Sequence, residues 1–135
     1  MATVKMALAS GADDVASIAV RASAPSSAVV NIPAGATGIS DILDFRAGYR
    51  LAGIIVPAAW LAAVVTFQWS PDGTTWYDMY KADGTEYSVT PVAGKLTTIP
   101  VVDFIACRYL QLRSGTSAAP VNQTATRAIT VIGAG

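Results

Sequence analysis

Apolar and polar positions alternate with a period of two along several short stretches of this chain, the pattern of strands that bury one face. From Val64 to Trp69, the side chains of Val65, Phe67 and Trp69 share one face, and Val64, Thr66 and Gln68 share the other. The face carrying Phe67 and Trp69 is expected in the core. In the stretch 108–113, Leu110 and Leu112 are expected to point inward, with Tyr109, Gln111 and Arg113 on the opposite face. Further strands are expected at 28–32, 49–56, 62–69, 75–81, 85–90, 96–102 and 126–132. Ser70-Pro71-Asp72-Gly73 and Ala82-Asp83-Gly84-Thr85 are turn sequences, because Pro71 presets its own φ and a glycine takes positive φ without a Cβ clash. The segment 67–89 therefore predicts three strands joined by two tight turns, an antiparallel meander at the centre of the chain. Residues 39–45 stay open: Ile39, Ile42 and Leu43 have helical spacing, whereas Asp41 and Asp44 suit caps or turns.

Roughly eight to ten short strands, frequent turns, no long amphipathic helix and no internal repeat predict an all-β fold, an antiparallel β-sandwich of jelly-roll-like type. The first 27 residues read as an N-terminal arm or edge strand, with Val4, Met6 and Leu8 alternating against Thr3, Lys5 and Ala7, and residues 28–135 read as the sandwich domain.

Composition narrows the function. The 135 residues suit one domain. Only 13% are charged, against roughly 25% in an ordinary soluble protein, so the surface has to display apolar groups, and such surface favours burial against copies of the chain or a larger assembly. Nine basic and nine acidic residues cancel without forming runs, which speaks against nucleic acid as a partner. The chain has no histidine and one cysteine. The usual general base is missing, no internal disulfide is possible, and Cys107, inside an apolar run, is expected in the core. The carboxylates are scattered, and the glycines form no phosphate-binding loop or nucleophile elbow. No catalytic group, cofactor site or metal site is therefore expected. The uncharged run 51–67 carries Gly53 and Pro57 and ends in alternation, so two strands about a corner are expected rather than a membrane span. The N-terminus, with Lys5 as its first charged side chain and no sustained apolar core, does not read as a secretory signal, and folding in a cytoplasm is expected.

Trp60, Trp69, Trp76, Tyr77, Tyr80 and Tyr87 are concentrated in the middle of the chain. Exposed rings on a β face can stack on sugars, so an exposed member of Tyr77, Tyr80 and Tyr87 is the candidate contact for a carbohydrate-binding module. Strict alternation would put Trp76 and Tyr80 on one face and Tyr77 and Met79 on the other, with at least one set in the core. Ser70-Pro71-Asp72-Gly73-Thr74-Thr75-Trp76 resembles a shortened Asp-box of sialidase propellers. It lacks a residue between Asp and Gly and occurs once, which leaves a structural turn.

Phe67-Gln68-Trp69-Ser70-Pro71-Asp72-Gly73-Thr74-Thr75-Trp76-Tyr77-Asp78 and Arg108-Tyr109-Leu110-Gln111-Leu112-Arg113-Ser114-Gly115-Thr116-Ser117-Ala118-Ala119-Pro120-Val121-Asn122-Gln123 resemble segments of small accessory virion proteins of tailed bacteriophages. The stretch Arg108-Tyr109-Leu110-Gln111-Leu112 is also similar to the strand that ends discoidin-like jelly rolls. The resemblance implies a non-enzymatic capsid decoration, or cement, protein on the outer surface of the head. Its expected partners are the major capsid protein and copies of itself, with a trimer favoured, and its expected location is the virion surface after synthesis in the host cytoplasm. On that reading Val4, Met6 and Leu8 would act as a strap, and many copies per particle would make weak contacts sufficient. A tail or baseplate module and a carbohydrate-binding sandwich are the rival expectations.

Overall fold

The computed structural model describes residues 25–45 and 49–134. They form nine strands in chain order, β1 (Pro25–Ile32), β2 (Leu43–Asp44), β3 (Arg50–Ile55), β4 (Val65–Ser70), β5 (Tyr77–Asp78), β6 (Ser88–Val89), β7 (Leu96–Thr98), β8 (Tyr109–Ser114) and β9 (Arg127–Ala134), with a 3-10 turn at Val101–Phe104. One sheet has the order β1-β9-β3-β7, and the other has β2-β8-β4-β5 with β6 also paired to β4. Every pairing between these strands is antiparallel. The all-β, two-sheet architecture expected from the alternation is therefore present.

The inner faces of the two sheets meet in one hydrophobic cluster. Val30, Ile32, Leu51, Ile54, Ile129 and Val131 come from the first sheet, and Leu43, Val65, Phe67, Leu110 and Leu112 from the second. Val56, Trp60, Ile99, Phe104 and Cys107 close the cluster from the connections. Phe67, Leu110 and Leu112 have no exposed surface, and full burial of a side chain of this size contributes about 1.5–3 kcal/mol. Cys107 is buried as expected. The run 51–67 is no single segment: β3 ends at Ile55, Trp60 sits buried in a turn whose amide donates to Pro57 O, and β4 begins at Val65. Among the described residues, no helix is long and apolar enough to cross a membrane.

Several expected strands are shorter or differently used. The strand expected at 75–81 has a ladder of two residues, Tyr77 and Asp78 against Trp69 and Gln68. The strand expected at 85–90 first pairs back across its turn, with Tyr80 bridging Glu86, and its last residues, Ser88 and Val89, pair with β4. β4 is thus flanked along one edge by β5 and β6 in succession, because Met79 takes a hydrogen bond into each neighbour: its amide donates to Phe67 O and its carbonyl accepts from Tyr87 N. The strand expected at 96–102 stops at Thr98, since Pro100 cannot donate to a ladder and opens the 3-10 turn. The open segment 39–45 contains no helix. Ile39 bridges Arg113, and Leu43–Asp44 pair with β8.

β1 begins at Pro25, three residues before the expected strand at 28–32, and is paired with β9 from Pro25↔Ala134 to Ile32↔Arg127. The arm residues Val4, Met6 and Leu8 lie outside the described residues.

Candidate functional site

A groove of about 660 Å³ opens at one end of the second sheet. Three pieces of local chemistry build it. The first is the turn after β4, where Ser70 Oγ accepts from the amides of Asp72 and Gly73, and Asp72 Oδ1 accepts from those of Thr74 and Thr75. Gly73 sits at φ +80°, where a Cβ would strain the backbone. The Thr75 and Thr74 amides and the Ser70 hydroxyl hold the Asp72 carboxyl well below the usual carboxylate range. This locked turn presents Ser70 and Pro71 to the groove.

The second piece is β5 and the chain after it, which supply Tyr77, Asp78, Met79 and Tyr80. Tyr77 is 61% and Tyr80 54% exposed. Trp69, on β4, lines the groove beside them and also packs against the core. Its covered Nε1 has no acceptor among the described residues.

The third piece is the 3-10 turn and the start of β8, with Asp103, Ala106 and Arg108 on the rim. Phe104 anchors this turn. Its ring makes edge contacts with Phe67 at 5.2 Å and Tyr87 at 5.5 Å, and lies 5.9 Å from Trp69. The Tyr87 hydroxyl donates to Asp103 Oδ2 at 2.8 Å. Burial, and then that carboxylate, push the phenol above its ordinary range. Arg108 pairs with Asp44 at 2.9 Å and lies over the Tyr109 ring.

A polar network lies behind the groove. The Arg113 side chain, 5% exposed, donates from Nη2 to Asp78 Oδ1 at 2.6 Å and from Nη1 to Glu86 Oε2 and Thr66 Oγ1, each at 3.3 Å. The Arg113 hydrogen bond holds the Asp78 carboxyl below its usual value against a smaller opposing effect of burial. Arg113 and Thr66, expected on the face opposite the core residues, are buried as well, because Asp78 and Glu86 fold over that side of β4 and β8.

Of the three candidate tyrosines, the structure brings Tyr77 and Tyr80 together in the groove and does not bring Tyr87 with them. Tyr87 is half-buried, with its ring against Phe67 and Phe104. Tyr77 and Tyr80, expected on opposite faces of their strand, both line this one concavity. Trp69, assigned wholly to the core from its alternation, is shared between core and groove. Asp103 and Arg108 carried no signal in sequence, since their nearness to Tyr77 depends on how the 3-10 turn packs. Among the described residues, no three acidic or cysteine side chains cluster as metal ligands.

A second surface feature stands on the 3-10 turn. Val101, Val102 and Ile105 are exposed, with Val102 at 66%, and Leu96 on the edge strand β7 is exposed a few residues earlier. No family model matches the chain, and comparisons with curated proteins and with solved structures find no match.

Proposed function

We propose that this chain is a non-enzymatic structural protein of a phage particle, a decoration protein that clamps the outer surface of the head. The observation that carries the reading is the exposed apolar group Val101, Val102 and Ile105 on and just after the 3-10 turn that follows β7, on a chain with so few charges. Apolar side chains presented together on a surface are stabilised by a neighbour that covers them. The neighbours are copies of the chain, as a trimer, and the major capsid protein. The jelly-roll-like connectivity and the strap role of Val4, Met6 and Leu8 belong to the same reading. So do location on the virion surface and assembly from a pool made in the host cytoplasm.

Light scattering on the purified chain, followed by its addition to undecorated heads, tests this. A trimer that binds heads saturably, and loses binding in Val102→Asp/Ile105→Asp, is the expected result. A monomer that leaves heads bare refutes it, and gold label on the tail in electron micrographs of intact particles would move the protein to the tail or baseplate.

A further inference from the structure

We propose that the groove between the Ser70–Gly73 turn, β5 and the 3-10 turn binds neutral pyranose oligosaccharides, independently of where the protein sits on a particle. Tyr77 and Tyr80 are the most exposed aromatic rings among the described residues, and they converge on one concavity with Trp69. Its volume of about 660 Å³ falls in the range of roughly 300–1,000 Å³ typical of small-ligand sites. Ring faces held open to water suit the apolar faces of sugar rings.

The polar rim selects among ligands that stack on aromatic rings. The hydrogen bonds to Asp78 from Gln68 and Arg113 both end on Oδ1, and that from Tyr87 to Asp103 ends on Oδ2. Among the described residues no donor reaches Asp78 Oδ2 or Asp103 Oδ1, so each carboxylate offers an acceptor already fixed in place by its other oxygen. The groove's cation, Arg108, is engaged by Asp44, and its covered donor, Trp69 Nε1, is recessed. Two preset carboxylate acceptors thus line the groove beside the Tyr77 and Tyr80 hydroxyls, which can donate or accept. Sugar hydroxyls donate as well as accept and can use both carboxylate acceptors, whereas a proline-rich peptide, which also docks on aromatic grooves, has few N–H groups to offer them. Anionic glycans are disfavoured because the lining carboxylates Asp78 and Asp103 outnumber the lining cation, Arg108, which Asp44 already pairs.

The test is a glycan array of neutral and sialylated oligosaccharides probed with the full chain, followed by tryptophan-fluorescence titration with the strongest neutral hit. Saturable binding of a neutral glycan is expected. Tyr77→Ala/Tyr80→Ala should weaken it by about tenfold or more, the size of effect expected from lost ring stacking. Tyr49→Ala, which removes an exposed ring lining a separate hollow, should leave it unchanged. Circular dichroism checks that each variant folds, and both groove tyrosines are surface residues. The proposal is overturned if no neutral glycan binds at millimolar concentration or if sialylated glycans alone bind. It is equally overturned if decaproline binds in their place, or if the double variant binds as well as the parent chain.

Discussion

Replacing Arg113 by methionine removes a buried cation while keeping an unbranched stem of similar reach. Glu86, whose side chain is 13% exposed, then keeps the Ser117 amide as its donor, and Asp78, 34% exposed, keeps Gln68. Removing one partner of a fully buried ion pair costs about 3–5 kcal/mol. Asp78 can rehydrate through its open third, which sets the expectation near the lower end, at about 3 kcal/mol. For a chain of this length that corresponds to a fall in Tm of about 9 °C. Urea denaturation followed by tryptophan fluorescence should show a lower midpoint with an unchanged slope. Acid adds an independent check. Because Arg113 lowers the folded pKa of Asp78, the stability it contributes is complete above the unfolded value of about 4 and is lost as pH falls through the folded value. The difference between parent and variant should therefore be largest above about pH 5 and shrink toward pH 3. A loss below about 1 kcal/mol, the range of exposed pairs, or a difference that grows on acidification would refute the account of a buried, stabilising network.

Two glycines separate backbone strain from crowding. Gly84 and Gly115 have φ of +88° and +89°, but a Cβ at Gly84 meets open space, whereas at Gly115 it comes within 2.6 Å of Ala119 O and Val121 N. Gly84→Ala should cost about 1 kcal/mol and Gly115→Ala about 4 kcal/mol in urea unfolding; equal costs would contradict the steric argument. Gln123, fully buried, accepts from Leu61 N and donates to Leu61 O and Ser114 Oγ. Its replacement by alanine should cost about 2 kcal/mol by thermal unfolding, and a loss within error would show that water takes over those bonds. Burial pushes the Cys107 thiol up to about 12, so iodoacetamide at pH 8 should leave the native protein unmodified and label it in urea, as read by mass spectrometry.

The strands β3, β4, β8 and β9 were legible in sequence because alternation is a local property: Leu110 and Leu112 had to share a face, and Phe67 had to join them. The Asp-Gly turns were legible for the same reason, since Ser70, Asp72 and Gly73 satisfy one another within four residues. Alternation assigns a side chain to a face but does not say what covers that face. Arg113 is buried by carboxylates 35 and 27 residues away, and Gln123 is held by Leu61 across 62 residues. Tyr87 left the exposed set for the Phe67 and Phe104 rings, and Tyr80 lines one groove with Tyr77 and with Asp103 and Arg108 from a distant turn. Local periodicity determined the sheets, while the groove and the buried polar network arose from long-range packing of irregular segments, whose positions no short-range pattern encodes.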